Sequence, residues 1–154
     1  MSEQHQDEKD AVSAIFEFAI HVTADVIDGN GHVNNVVYVQ WMQDAAVAHA
    51  RSCIPRNADE LADTSWVARS HHIEYLLPVV EGQRIVVRTW IADFRRVRST
   101  RRYRFVRLDD QKLVAQGQTD WVFIDTHSGR PRSIPEMVQQ CFQVPHNSPV
   151  PDQH

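Results

Sequence analysis

The 154 residues are 42% hydrophobic and 23% charged, a length and balance suited to one compact domain that buries a single core without staples. A net charge of -4 excludes a global basic field for wrapping duplex nucleic acid or coating an anionic membrane. No apolar run approaches the roughly 18 residues that span a bilayer, and Cys53 and Cys141 lack the spacing of a disulfide framework or zinc knuckle, which favours a reducing cytoplasm.

In chain order, residues 1–12 are polar and mostly acidic, and are expected as a flexible N-terminus without the cationic start and apolar run of an export signal. A single domain is expected over 13–143. Phe16, Phe18, Ile20 and Val22 alternate with Glu17, Ala19, His21 and Thr23, the period of a half-buried strand. Asp28-Gly29-Asn30-Gly31 then joins two turn dipeptides into a loop. Beyond it, Val37, Trp41, Ala45 and Ala48 recur at helical spacing, Asn34 or Asn35 is placed to cap the first amides, and Pro55 ends the helix. Its alanines suit a helix enclosed by a sheet.

From Ser65 the pattern changes to four strands, WVARSHHIEYLL, RIVVRTWIADF, STRRYRFVRL and KLVAQGQTDWVFID, separated by breaks at Pro78, Gly82 and Asp109-Asp110. One helix followed by strands with short connections predicts an α+β chain, a curled antiparallel sheet against one long helix. IPEMVQQCF suggests a short helix, and residues 144–154 a loose proline-bearing tail.

The segment DGNGHVNN crowds a carboxylate, amides and an imidazole into a glycine-rich loop feeding a helix start. Helix-end amides can hold an oxyanion while a neighbouring carboxylate activates water or attacks a carbonyl, which points to acyl transfer. The same residues are also ordinary turn formers and caps, so residue pattern alone leaves both readings open. Arg95, Arg96, Arg98, Arg101, Arg102, Arg104 and Arg107 form a basic strand pair that either grips phosphates or is a solvated face with cross-strand ion pairs. His21, His49, His71 and His72 lack the spacing of a metal site, so no metal is expected. Trp41, Trp66, Trp90 and Trp121 are expected in the core or at a subunit contact.

The run DGNGHVNNVVYVQW, with Asp28, Asn30, His32, Val33, Asn34, Asn35, Tyr38 and Trp41, resembles the signature of hotdog acyl thioesterases. These include the 4-hydroxybenzoyl-CoA thioesterase-like family and the plant acyl-ACP thioesterases. The resemblance continues through IEYLLPVVEGQRIVV and WVFIDTHSGRPRSIP. It implies a hotdog fold with Asp28 as general base or nucleophile, Asn30 and His32 around the substrate carbonyl, and Glu74 as a second acidic residue. Gly31, Asn34, Tyr38, Arg98 and Arg101 are the expected substrate-binding positions, with backbone amides of Gly31 and His32 facing the thioester oxygen. Val26 stands where many bacterial members carry an acidic residue, which bears on substrate subfamily. Asp44 is the alternative carboxylate, since some hotdog enzymes place theirs on the helix; its other reading is a solvated or capping charge.

The resemblance further implies an acyl-CoA or acyl-ACP substrate drawn from fatty acid metabolism, no cofactor, and a homodimer or homotetramer with sites between subunits. No nucleic-acid or membrane partner is expected. Two rival readings are an enoyl-thioester hydratase of the same fold, whose loop carries a proline and one more residue before the histidine, and a non-catalytic acyl-binding module.

Overall fold

The computed structural model describes residues 14–55 and 57–142; the expected acidic N-terminus and proline-bearing tail lie outside the described residues. The elements are β1 (Phe16–His21), a 3-10 turn (Ala24–Val26), α1 (Asn35–Cys53), a second 3-10 turn (Asp59–Leu61), β2 (Thr64–Tyr75), β3 (Arg84–Phe94), β4 (Arg98–Arg107), β5 (Lys112–Asp125) and α2 (Glu136–Cys141).

Short turns join β3, β4 and β5, so these strands lie side by side. The helix crossing between β1 and β2 carries the chain from one edge of the sheet to the other. The sheet order is β1-β3-β4-β5-β2, and every pairing is antiparallel. Register shifts at Ala68/Ser70, Ile91/Asp93 and Phe105/Val106 insert irregularities, which locally raise the twist and help the sheet curl. The product is a five-stranded antiparallel sheet rolled around one long helix, the hotdog arrangement expected from the sequence.

The helix buries Tyr38, Trp41, Met42, Ala45, Ala46 and His49, which follow the i, i+3, i+4 rule for one face. Sequence periodicity centres the stripe on Val37, Trp41, Ala45 and Ala48. The structure keeps Trp41 and Ala45 at its centre but turns Val37 and Ala48 to half-buried flanks. A curled sheet touches a wide arc of helix, and the added breadth falls on the Tyr38, Met42 and Ala46 side. Contact with the sheet is closest at Gly117, where an added Cβ would lie 2.7 Å from the His72 carbonyl oxygen and 3.4 Å from Met42 Cε. A glycine there lets the helix rest on the strands.

A second cluster, Ile91, Phe123, Ile134, Val138 and Phe142, closes the end of the roll beneath α2. Among the described residues no helix is long and apolar enough to cross a membrane.

The helix begins as its sequence dictates. Asn34 lies in an extended conformation and its Oδ1 accepts from the Val36 amide at 3.1 Å, satisfying one orphan donor of the first turn. Replacing Asn34 by Ala is expected to cost about 1 kcal/mol. For a domain of this size a Tm fall of roughly 2–4 °C per kcal/mol would show it in a thermal melt.

Candidate functional site

Residues 28–32 form a closed hairpin loop. The Asp28 amide donates to the His32 carbonyl at 2.8 Å, the Gly31 amide donates to the Asp28 carbonyl at 3.0 Å, and Ile27 bridges Val33 across the stem. This is a tight turn followed by a residue in the left-handed region. Gly31 fills that position with φ at +78°, where a side chain would be strained. Asp28 Oδ1 accepts from the Asn30 amide at 2.9 Å, so the carboxylate is both half-buried and held in one orientation. The Asn34 amide bonds the Val26 carbonyl and the Val33 amide bonds the Val79 carbonyl, each at 2.9 Å. These two bonds fix the loop against the first turn of α1.

The structure therefore brings Asp28, Asn30, His32 and Asn34 together at the N-terminus of a 19-residue helix. That end carries partial positive charge. Gly31 is expected as an oxyanion donor; in the structure its N–H donates to the Asp28 carbonyl. Among the described residues, no backbone carbonyl accepts from the amides of Gly29, His32 or Asn35.

Tyr38 lies one turn into the helix, 3% exposed. Its ring meets Trp41, Tyr75 and Phe105 edge-on at centroid distances of 5.1, 5.2 and 5.2 Å. Burial, and next the Tyr75 hydroxyl, push the Tyr38 phenol up to about 12, so it stays protonated at neutral pH. Tyr75 stands out in the sequence only as the tyrosine of the matched run IEYLLPVVEGQRIVV, without a role; its hydroxyl donates to the Asn35 carbonyl at 2.9 Å and ties β2 to the helix start. Its signal is the strand alternation that turns Ile73 and Tyr75 toward α1.

The same alternation turns Glu74 to the opposite face of the sheet. There it lies 3.5 Å from His72 and 3.5 Å from Gln116 Nε2, in a groove of about 200 Å³ lined also by Trp90, Arg102 and Arg104. Within one protomer the structure does not bring Glu74 to the loop. Asp44 accepts from Gln40 Nε2 at 2.8 Å along the helix surface.

Strand alternation also divides the arginines. Arg102 and Arg104 line the outer groove, Arg98 is half-buried opposite Val122, and Arg107 forms a fork with Asp110, at 2.7 and 3.0 Å, while donating to the Pro78 carbonyl. Arg101 points the other way, into the protein. It is 4% exposed and lines a cleft of about 300 Å³ between α1 and the sheet.

Its partner His49 is likewise 4% exposed. Burial, then the adjacent Arg101 charge, lowers its pKa to about 3, so the imidazole is neutral at pH 7. Of the other histidines, His71 Nδ1 lies 2.8 Å from Thr119 Oγ1 and His21 is exposed at the end of β1. Among the described residues no three His, Cys, Asp or Glu side chains gather as metal ligands. Trp41 and Trp90 are buried, and Trp66 packs on Phe123 at 5.0 Å.

Residues 22–142 match the family model of the thioesterase-like superfamily. No protein of curated function matches the chain by sequence. Among solved structures, the chain is similar to a 1,4-dihydroxy-2-naphthoyl-CoA thioesterase from Synechocystis, at 21% identity and a TM-score of 0.74, over 83% of this chain and 95% of that one. A Staphylococcus aureus protein solved in complex with CoA superposes with a TM-score of 0.79 at 19% identity, over 91% of this chain and 89% of that one. A 12:0-ACP thioesterase from Umbellularia californica gives 0.77 at 19% identity, over 90% of this chain and 54% of that one.

Proposed function

Because the chain belongs to the thioesterase-like superfamily, we propose that it hydrolyses an acyl thioester of coenzyme A or an acyl carrier protein. The observation that carries this reading is the carboxylate of half-buried Asp28, oriented by the Asn30 amide in the loop that feeds α1, with the His32 and Asn35 amides of the same segment taken by no backbone carbonyl among the described residues. A thioester carbonyl seated there meets a base or nucleophile on one side and donors for its developing charge on the other.

In the general-base form, Asp28 takes a proton from water as the water oxygen bonds to the carbonyl carbon. The carbon–sulfur bond then breaks, the thiolate leaves, and the proton passes to it. In the nucleophilic form the Asp28 carboxylate bonds to the carbonyl carbon, the carbon–sulfur bond breaks and the thiolate leaves; water then cleaves the resulting anhydride, which frees the acid, restores the carboxylate and supplies the proton taken up by the thiolate. Thiolate is a good leaving group, which is compatible with a site lacking a strong general acid. Asn30 and His32 orient the groups, and Tyr38 forms part of the wall.

Glu74 faces away from its own loop, so we assign it, with the edge that β2 forms among the described residues, to a site or contact completed by another copy of the chain. The length and charge of the Asp28–His32 loop favour hydrolysis over hydration, since Gly31 alone separates Asn30 from His32. A cytoplasmic setting fits a substrate pool of acyl thioesters.

A thiol-release assay over short, long, branched and aromatic acyl-CoA and acyl-ACP substrates tests the proposal. Release above the buffer rate for at least one class is expected. No release from any class, with folded protein, overturns hydrolysis and leaves a binding module.

A further inference from the structure

Among the described residues, no carboxylate pairs with the charge of Arg101. Its guanidinium donates through Nη1 to His49 Nδ1 at 2.8 Å and to Thr89 Oγ1 at 3.1 Å, and it lies 5.6 Å above the Phe142 ring. An arginine only donates, so His49 Nδ1 is the acceptor and the ring proton sits on Nε2. Both hydrogen-bond partners are neutral. Burial lowers the Arg101 pKa to about 10, which still leaves it charged at pH 7. Among the described residues no aspartate or glutamate pairs with it, and no partner takes its Nε or Nη2 donors. A buried ion held this way costs folding free energy. The rest of the cleft it lines is mainly apolar, with Ala46, Ala50, Trp66, Trp121 and Phe142 among the walls.

Place matters as well as charge. The helical residues of the cleft run from Gln43 to Ala50, which is ~12–22 Å beyond the helix start at 1.5 Å per residue. A hydrocarbon group lying along α1 with its thioester at the Asp28 loop would bring its far end here. Strand β4 supplies the charge from below, and the mouth is bordered by exposed Val47.

We propose that this cleft binds a hydrocarbon group bearing a carboxylate, with the carboxylate on the free donors of Arg101. Two sources share that chemistry, the far end of an ω-carboxyacyl thioester and a free fatty acid. The first rests on the hydrolase reading and the second does not. A planar fork of donors in a mainly apolar cleft matches a carboxylate, and the neutral walls accommodate its chain.

The test combines titration and kinetics on the full chain. Decanoate and decanamide are titrated calorimetrically into the unmodified protein, Arg101→Met and Val47→Phe; the last narrows the mouth and leaves the guanidinium untouched. Decanoate is expected to bind more tightly than decanamide, and its affinity to fall about 10- to 100-fold in Arg101→Met, the range for losing a hydrogen bond to a charged group. Val47→Phe, on an exposed helix position, is expected to weaken both ligands while melting like the parent, which keeps the proposal testable should Arg101→Met fold poorly. Sebacoyl-CoA and decanoyl-CoA are then compared by thiol release. An Arg101-dependent preference in kcat/KM for sebacoyl-CoA assigns the cleft to substrate, and Arg101-dependent decanoate binding with equal cleavage of the two assigns it to free acid. Equal affinity for decanoate and decanamide, or decanoate binding unchanged in Arg101→Met and Val47→Phe, overturns the proposal. If no thioester is cleaved, the hydrolase reading fails, and the titrations alone decide the cleft.

Discussion

Asp28→Asn is expected to reduce thiol release by roughly 10²–10⁴-fold, the range for losing a positioned base, while leaving the protein folded. The asparagine side-chain oxygen can still accept from the Asn30 amide, the bond that Asp28 Oδ1 makes at 2.9 Å, so the local turn survives. What is lost is the negative charge. Parallel measurements of Tm and of acyl-thioester affinity separate chemistry from structure. A melting point near the parent's and retained binding, with release abolished, support the assignment. Release within a few-fold of the parent would remove Asp28 from the reaction and direct attention to Asp44, the other carboxylate on this segment.

Phe105→Ala is expected to destabilise the fold by about 3–5 kcal/mol, the usual cost of truncating a fully enclosed aromatic. Phe105 is 0% exposed. Its ring meets Tyr38 at 5.2 Å and Trp41 at 6.4 Å, so the void opens under the first two turns of α1. A loss of this size is a large part of the roughly 5–15 kcal/mol that holds a typical domain. Denaturant unfolding gives the change directly. Activity should fall together with the folded fraction near the midpoint, because the helix that positions the Asp28 loop is seated on this ring. A change below about 1 kcal/mol would mean that the helix does not depend on the contact.

Much of this architecture is legible in local patterns. Phe16 to Ile20 alternate strictly, β3 and β5 coincide with the runs 84–94 and 112–125, and the helix opens at its asparagine cap. These features are set by period, capping and turn chemistry, which act over a few residues. The two 3-10 turns, Ala24–Val26 and Asp59–Leu61, carry no such period and are set by where the chain must go next.

The candidate loop is equally local, since Asp28, Gly31 and Asn34 are neighbours in sequence. Glu74 and Arg101 illustrate what is not. Which face a strand residue takes depends on the parity of its register, and one step moves a side chain through the sheet. Arg101 and Arg102 are adjacent in sequence yet occupy opposite sides, one in the core and one in the outer groove. A run of seven arginines therefore reads as one basic patch until the partners of β4 are known.

The loop that carries Asp28 is shaped almost wholly by main-chain bonds: Asp28 with His32, Gly31 with Asp28, Asn34 with Val26 and Val33 with Val79. The side chains of Asn30 and His32 are exposed and contribute nothing to that frame. Substituents at 30 and 32 can thus be exchanged while the main-chain geometry beneath them persists, whereas the side chain at 28 belongs to the frame as well, through its bond to the Asn30 amide.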